Sequence, residues 1–339
     1  MANRVTMSDV ARQAGVSLMT VSRVVNNKGE VSSETRQRVK RVIEEMGYRP
    51  SGIARSLATR RTGTLGLVVP DVTNPFFADI AKGVEHLAYA EGYNVFLCNT
   101  EEDPQRELKI LESLRMKEVD GLIVCSSRLE DEELKKGLKQ HPAVVLVNRR
   151  LQLADESFGV STIMIDDVAG GMTATRHLLQ SGRRAIGFLA GPAASKSGRD
   201  RGQGYQKAYK QAHLTLNPDW IRHCAPNVEG GYISGLQLIK EHPELDGLFC
   251  YNDLVAVGVL QACAELGRSV PGDIAVVGFD DIPLANLVTP PLTTCRVARY
   301  ELGRLALIAL LDQMRGCSGG CNDVVLEAEL VVRASAPFG

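Results

Sequence analysis

The sequence of 339 residues contains no apolar run of about 18 residues, which excludes a transmembrane helix of ordinary length. Its first residues, MANRVTMSDV, also lack the apolar core of a secretory signal, so we expect a cytoplasmic protein. The cysteines fit that compartment, because several lie in apolar patterns where a buried thiol acts as a small hydrophobe: Cys98, Cys125, Cys250 and Cys263. Cys317 and Cys321 lie close together without a second Cys or His pair nearby, and their role stays open.

The signatures of common enzyme classes are missing as well. The six histidines are scattered, and neither HExxH nor GxSxG occurs. After the first predicted strand the sequence reads VVPDVTNPF, where a Rossmann dehydrogenase would carry a GxGxxG loop. We therefore expect no enzyme activity, no catalytic residues, no metal site and no cofactor.

Charge is unevenly distributed, although the whole chain carries a net charge of only −1. Residues 1–61 contain 12 Lys and Arg against 5 Asp and Glu, whereas the remainder contains 27 against 35. A basic head on an acidic body is the electrostatic pattern of phosphate binding confined to one end of the molecule. A merely solvated basic helix face would not predict this asymmetry.

The segment SDVARQAGVSLMTVSRVVN, residues 8–26, has the pattern of two short helices joined by a tight turn. Gly15 permits the left-handed turn, and Ser17 can cap the second helix, whose valines face inward. A third helix, ending at Gly47, would complete a small core. Any helical hairpin shows such a stripe, so a purely structural hairpin stays open beside a DNA-binding helix-turn-helix.

The order of the motifs along the chain resembles one known family. The chain contains, in this order, VTMSDVARQAGVSLMTVSRVVN, TRQRVKRVIEEMGYRPSGIARSLATRRTGTLGLVVPD, NPFFADIAKGVE, YNDLVAVGVLQA, IAVVGFDD and TPPLTTCR. This series resembles the lactose-repressor (LacI/GalR) family of bacterial transcription regulators over essentially the whole sequence. The resemblance implies a sequence-specific DNA-binding regulator, most often a repressor. Its operator affinity would be controlled allosterically by a small ligand between two lobes, as a rule a sugar or sugar derivative.

From Thr64 onward, short apolar strands alternate with longer helical segments, which predicts parallel sheets covered by helices on both faces. A second run of this kind begins near Ile163, so two lobes are expected. The predicted fold is a small all-α helix-turn-helix head followed by an α/β body. The body would consist of two doubly wound parallel-sheet lobes of the periplasmic-binding-protein type.

The predicted domains are a helix-turn-helix head at 1–49, a hinge helix and linker at 50–61, and an effector-binding and dimerisation domain at 62–339. We divide the last domain into two lobes that each use two stretches of the chain. The N-lobe takes about 62–161 and 292–322, and the C-lobe takes about 162–291 and 323–339.

The predicted DNA contacts lie around the second helix, at helix ends and in the hinge. They are Thr6, Ser17, Leu18, Met19, Thr20, Ser22, Arg23, Asn26, Asn27, Tyr48, Ala54 and Leu57. Leu18 and Met19 occupy positions where relatives carry more polar side chains that contact the bases. They can contact a thymine methyl group but cannot make bidentate bonds to guanine or adenine, so we expect them to decide operator preference. In the family, the residue matching Leu57 wedges into the minor groove; packing within the linker is the alternative.

Ligands of paired open sheets bind beyond the carboxyl ends of the strands, in the cleft between lobes. The predicted effector contacts are Asn74, Phe77, Asn148, Arg201, Asn227, Asp253 and Asp280. Arg201 in RDRGQGY and Asp253 in YNDLVAVG match family motifs that bind hydroxyls or charged groups of the effector. Asn148 stands where relatives often carry an Asp that binds sugar hydroxyls.

Three of these assignments have structural alternatives. Asp253 could cap the helix that follows it. Either Phe76 or Phe77 could pack within its own lobe, and we favour Phe77 for the cleft. Asp280 could serve only the chemistry of a turn.

The serious alternative for the whole protein is a periplasmic-type sugar receptor, which shares the two-lobed plan. Such a receptor would carry a secretion signal where this chain has a basic helical head. The expected partners are a palindromic DNA operator, a small-molecule effector and a second copy of the chain, with no membrane. The C-terminal segment shows no leucine heptads, so we expect a dimer rather than a tetramer. The sequence does not identify the effector, and a nucleoside or sugar phosphate would also suit these residues.

Overall fold

In a computed structural model, the chain forms two compact units, residues 1–62 and residues 63–339. The structure describes residues 5–26, 29, 31–48, 61–151, 159–316 and 323–338. Five residues singled out from the sequence lie outside this described part: Asn27, Ala54, Leu57, Cys317 and Cys321. None of the described helices is long and apolar enough to span a bilayer.

The first unit contains three helices, α1 (Met7–Ala14), α2 (Leu18–Val25) and α3 (Ser33–Met46). Their ends are set by local sequence, because Gly15 and Gly47 adopt the left-handed conformation that stops a helix. Ser17 accepts a hydrogen bond from the Thr20 amide at 3.1 Å and caps α2, as its position after the glycine predicted. The inward valines of the three helices are fully buried in one small core: Val10, Val21 and Val39.

The first lobe of the second unit is built on a six-stranded sheet in the order β11-β5-β4-β3-β1-β2, parallel throughout. Its strands are β1 (Thr64–Val69), β2 (Asn94–Asn99), β3 (Gly121–Cys125), β4 (Val144–Val147), β5 (Val160–Ile165) and β11 (Val324–Leu326). Its helices are α4 (Pro75–Ala90), α5 (Pro104–Met116), α6 (Asp131–Leu138) and α11 (Arg299–Met314). The helices α4 and α11 cover one face of the sheet and α5 and α6 the other, which buries the central strands on both sides.

The second lobe repeats the plan with the strand order β12-β10-β9-β8-β6-β7. Its strands are β6 (Ile186–Leu189), β7 (Ile221–Arg222), β8 (Gly247–Cys250), β9 (Ala275–Asp280), β10 (Thr293–Arg296) and β12 (Glu329–Val331). Its helices are α7 (Asp167–Gln180), α8 (Lys196–Gln211), α9 (Val228–Glu241) and α10 (Asp253–Glu265). The edge strand β12 runs antiparallel to β10, and the other pairs are parallel. The predicted fold, a helical head with two doubly wound lobes, is therefore confirmed.

The chain crosses between the lobes three times, and each crossing lies a few residues later than the predicted boundaries. The crossings follow β5, β10 and β11, between Ile165 and Asp167, between Arg296 and Arg299, and between Leu326 and Glu329. The boundary at 161/162 would cut β5, whereas the boundaries at 291/292 and 322/323 would assign β10 and β11 to the wrong sheets. The periodicity of a segment predicts that it is a strand. It does not predict which strand will be its hydrogen-bonded partner, and that partner determines the sheet to which the segment belongs.

Candidate DNA-binding helix and effector cavity

Helix α2 presents an uncommonly apolar outer surface at its first turn. Leu18 is 50% exposed and Met19 is 65% exposed, while Val21 and Val24 on the opposite side are buried. Ser17 caps the helix, and its hydroxyl also bonds the Thr20 hydroxyl at 2.9 Å. Exposed apolar side chains of this kind can contact a thymine methyl group but cannot form hydrogen bonds with base edges.

Three further residues of the predicted DNA contacts, Thr6, Asn26 and Tyr48, have local structural roles. Thr6 forms a reciprocal capping box with Asp9 at the start of α1, in which the Thr6 amide donates to the Asp9 carboxylate at 3.0 Å. The Asn26 amide group donates to the Ser22 carbonyl at 2.9 Å and ends α2. Tyr48 is buried in the core of the head, so its ring supports the helices.

A narrow cavity of about 20 Å³ lies between the two lobes and is called the effector cavity below. It is lined by residues of both lobes, mostly polar groups at the carboxyl ends of strands: Asn74, Phe76, Phe77, Glu102, Ser126, Arg128, Asn148, Ser197, Arg201, Pro226, Tyr251, Asn252 and Asp280. Five of the seven predicted effector contacts are among them. A cleft with convergent polar groups and aromatic walls is the usual form of a small-molecule site.

Arg201 is a buried residue in the lining of this cavity. Its Nε lies 2.8 Å from Asp167 Oδ1, and a terminal nitrogen donates to the Tyr251 carbonyl. The guanidinium plane stacks over the Phe279 ring at 3.6 Å from its centroid. Its other terminal nitrogen lies 3.8 Å from Asp280 Oδ1. This planar, forked group is thus oriented from several sides before any ligand arrives.

The two carboxylates beside Arg201 are poorly solvated. Burial raises the pKa of Asp280 to about 7, although Arg201 and Arg299 favour its charged form. Burial also raises the pKa of Asp167, and its ion pair with Arg201 opposes that shift. Asp280 is therefore close to half-protonated at neutral pH, and it can either donate or accept a hydrogen bond in the cavity.

Asn148 joins the lobes directly, because its side-chain amide donates to the Ser197 hydroxyl at 2.8 Å. Its oxygen accepts from the Ile165 amide at 3.3 Å. Asn74 caps α4 by accepting from the Phe76 amide at 2.9 Å. Phe76 and Phe77 meet edge to face at 5.0 Å between centroids, and both rings line the cavity.

Asp253 and Asn227 do not line this cavity. Asp253 is fully buried, and its two oxygens accept from the Ile282 amide at 2.8 Å and the Thr294 hydroxyl at 2.5 Å. It thereby ties α10 to the loop after β9 and to strand β10, while the cap of α10 is its neighbour Asn252. Asn227 caps α9 by accepting from the Gly230 amide at 2.8 Å. In this structure both side chains hold the second lobe together rather than face a ligand.

Two lining residues, Arg128 and Glu102, were missed by the sequence argument. Arg128 lies just beyond β3 and Glu102 just beyond β2, so both follow the strand-end rule that selected Asn74 and Asn148. No group of three or more His, Cys, Asp or Glu side chains in the described part of the chain is placed to hold a metal ion.

A helix-turn-helix unit followed by a two-lobed unit with a polar cavity defines a ligand-controlled DNA-binding protein. The family model for periplasmic binding proteins and the sugar binding domain of the LacI family matches residues 62–316. The model for bacterial regulatory proteins of the lacI family matches residues 6–51.

Full-length relatives show the same combination of units. The chain is 36% identical to the HTH-type transcriptional repressor PurR of Haemophilus influenzae (strain PittEE), covering 97% of this chain and 98% of that one. It is 36% identical to the ribose operon repressor of Halalkalibacterium halodurans, covering 98% of both. The solved lac repressor dimer bound to operator and the anti-inducer ONPF superposes with a TM-score of 0.85 at 26% identity, covering 99% of this chain and 100% of that one.

The chain belongs to the lacI family of bacterial regulatory proteins. It is a sequence-specific DNA-binding transcription regulator whose operator binding is controlled by a small-molecule effector, and repressors of this family bind operator DNA as dimers. The relatives named above are transcriptional repressors, not enzymes. The matched head decides against the periplasmic-receptor alternative.

Proposed function

We propose that this chain represses transcription in the cytoplasm, without catalytic activity, and that a sugar or sugar derivative in the effector cavity changes its operator affinity. The observation that carries this proposal is the cavity itself, to which both lobes contribute polar side chains. A ligand that bonds Asn148 and Arg201 together would favour one relative position of the lobes over others. Ligand and operator binding are then coupled, and the coupling is reciprocal.

The names of two similar proteins include a sugar, which supports a sugar as one candidate ligand. One of the relatives is a ribose operon repressor, and one similar solved structure is the regulator CelR in complex with cellobiose. The CelR structure is 32% identical, with a TM-score of 0.74, and covers 98% of this chain and 100% of that one. Within the cavity, Asn74, Phe77, Asn148, Arg201 and Asp280 are the residues that we propose to contact the effector.

The test of this function has two stages. Thermal unfolding of the full-length protein is first measured against a panel of sugars, sugar phosphates and nucleosides, because a ligand of the native state raises stability by mass action. Any stabilising compound is then added to the protein on a labelled operator fragment. A change in operator affinity is expected, whereas a stabilising ligand that leaves DNA binding unaltered would contradict effector control.

The exposed pair on α2 provides a prediction about DNA sequence. Replacing Leu18 with Asn and Met19 with Gln should change the preferred operator, because these amides bond adenine bidentately, where the wild-type side chains favour a thymine methyl group. Selection from a randomised DNA library should recover a consensus altered toward adenine at the contacted positions. We expect discrimination of about 1–3 kcal/mol for each good contact.

The matched control for this change is Gln37→Ala, an exposed polar residue on α3 rather than on α2. It should recover the wild-type consensus. If the double variant also recovered that consensus, Leu18 and Met19 would not be base readers. Residues 50–61 and Leu57, which we propose as the hinge and its minor-groove wedge, are tested separately by Leu57→Ala on the same operator.

The edge of the first sheet offers a surface for the second copy of the chain. Strand β2 is the last strand of that sheet, and it leaves Phe96 45% and Leu97 49% exposed. Exposed apolar residues on an unpaired edge strand are typical of a surface that binds another protein chain. We propose that this edge forms part of the dimer interface.

Leu97→Asp should therefore shift the protein toward monomers, since a carboxylate would be buried there without a partner. Sedimentation equilibrium measures the dimer constant, and operator affinity should fall with it. The comparison variant is Met116→Asp, which puts the same charge on an exposed apolar residue at the end of α5. Equal dimer constants for the two variants would place the interface elsewhere.

A further inference from the structure

The effector cavity contains a second guanidinium group, Arg128, that faces it from the first lobe. Its side chain is buried, and Glu102 holds it as a bidentate partner, with one terminal nitrogen 3.0 Å from Glu102 Oε1. The other terminal nitrogen donates to the Ser126 carbonyl at 3.0 Å, and the Arg128 amide donates to Glu107 at 3.0 Å. These contacts of Arg128 come from the first lobe, whereas the contacts of Arg201 with Asp167, Tyr251 and Phe279 come from the second.

Arg128 lines the cavity and carries more N–H groups than its contacts with Glu102 and Ser126 use. A guanidinium carries five N–H groups, and the contacts with Glu102 and Ser126 use three of them. The Tyr251 side chain, from the second lobe, is within hydrogen-bonding reach of the group. Glu102 also lines the cavity, and each of its oxygens has a further lone pair. The pair therefore offers donors and acceptors side by side, the pattern that complements adjacent hydroxyl groups, which both donate and accept.

The charges around the cavity disfavour an anionic ligand. Arg128 is already paired with Glu102, and Arg201 is paired with Asp167 and lies near Asp280. An incoming carboxylate or phosphate would find no unpaired cation among these lining groups, and it would face the Glu102 carboxylate. Such unfavourable contacts are a means of rejecting an otherwise similar ligand.

We propose that the Arg128–Glu102 pair is the specificity-determining contact of the first lobe and selects neutral ligands with adjacent hydroxyls over their carboxylate or phosphate derivatives. This inference rests on the proposed function, because it concerns the ligand of the same cavity. Arg128 and Glu102 would bind the ligand directly from the first lobe. The chemical feature that they would recognise is a pair of adjacent hydroxyl groups.

The experiment measures binding to the full-length protein by calorimetry with two matched sets of probes. The neutral set is D-ribose, D-glucose and cellobiose, and the anionic set is D-ribose 5-phosphate, D-glucose 6-phosphate and D-gluconate. The wild type should bind a neutral probe and exclude its anionic counterpart. Arg128→Lys should weaken that binding by about tenfold or more, because an ammonium cannot hold Glu102 and a ligand with the same fork.

Glu102→Gln tests the effect of the Glu102 charge, because glutamine keeps a side-chain oxygen that can still accept a hydrogen bond from Arg128. It removes the cavity carboxylate on a partly exposed side chain, so the affinity ratio of the anionic to the neutral probe should rise by about tenfold. The matched control is the exposed pair on α5, with Arg115→Lys and Glu112→Gln, whose guanidinium and carboxylate make the same kind of contact at 3.0 Å. The control variants should bind like the wild type. The control variants should also keep the wild-type unfolding temperature within a few degrees and bind operator without ligand. A cooperative unfolding transition is required of each cavity variant before its affinities are compared.

Three outcomes would overturn the inference: wild-type binding of anionic probes only, no binding of either set, or unchanged affinities in both cavity variants. These outcomes are distinct from failure of the proposed function. A neutral sugar that binds through Arg128 but leaves operator affinity unchanged would contradict effector control alone. A sugar that releases operator equally well from wild type and from both cavity variants would contradict the role of Arg128 and Glu102 alone.

Discussion

Arg201→Lys is expected to abolish the effector response while leaving operator binding without ligand close to that of the wild type. The guanidinium of Arg201 stacks on Phe279, bonds Asp167 through Nε and reaches the Tyr251 carbonyl with a terminal nitrogen. A lysine ammonium can keep the charge beside Asp167, but it cannot stack or bond in two directions in one plane. The ligand would lose an oriented hydrogen-bond donor. The second lobe would then lose its contact with a ligand that is also bound by the first lobe.

Arg201→Ala is a less informative change, because it leaves the buried Asp167 without its cation. Removal of one partner from a buried ion pair costs about 3–5 kcal/mol, which is a large part of the stability of a typical domain. Loss of function in that variant would be confounded with unfolding. The lysine variant is measured by calorimetry with the ligand, by operator titration and by thermal unfolding.

The control for Arg201→Lys lies on the same helix. Arg199 is exposed and donates to the Ala193 carbonyl at 3.0 Å, so Arg199→Lys makes the same replacement outside the cavity. It should retain the ligand response. A folded Arg201→Lys protein with wild-type ligand affinity would remove Arg201 from the effector site.

Gly171→Ala should destabilise the second lobe by about 3 kcal/mol or more and weaken effector binding as well. A Cβ atom at Gly171 on α7 would stand 2.3 Å from the Arg201 carbonyl oxygen and 2.8 Å from its Cα. These are backbone atoms of α8, so no side chain can move aside and the two helices must separate. The separation would displace Arg201 from Asp167, which is carried by α7.

Differential scanning calorimetry of the ligand-free protein measures the stability change, and the binding constant follows from titration. We expect a fall in unfolding temperature of roughly 2–4 °C for each kcal/mol lost in a domain of this size class. Gly202→Ala on α8 is the comparison, because its new Cβ would meet only the Phe188 ring at 3.3 Å. If both alanine variants unfolded at the same temperature, close backbone approach would not be what requires glycine at position 171.

Local residue chemistry was sufficient to predict much of the architecture. The left-handed Gly15 and the cap at Ser17 follow from short-range conformational preferences, and both occur as predicted. The carboxyl ends of parallel strands collect at one edge of a sheet for geometric reasons, which is why Asn74, Asn148 and Asp280 meet in one cavity. That they bind an effector there stays a prediction.

Other features depended on which distant segments meet. Asp253 stands in a family motif at a strand end, but the Ile282 amide in the loop after β9 and the Thr294 hydroxyl on β10 occupy its two oxygens. Arg128 and Glu102 are 26 residues apart, and their pairing exists only because β2 and β3 both flank β1. The crossings between lobes also depend on strand pairing, since β10 and β11 join sheets that their own sequences do not specify.

The sequence by itself determined the helical head, the two-lobed α/β body, the basic end of the molecule and the exposed Leu18 and Met19. These follow from periodicity, capping and charge, which act over a few residues or over composition. Only the tertiary structure decided the pairing of each buried arginine with its carboxylate and the loss of Asp253 to a structural role. A buried charge is stable only when an opposite charge or a hydrogen-bonding group lies beside it. Which group lies there depends on contacts between segments that are far apart in the chain.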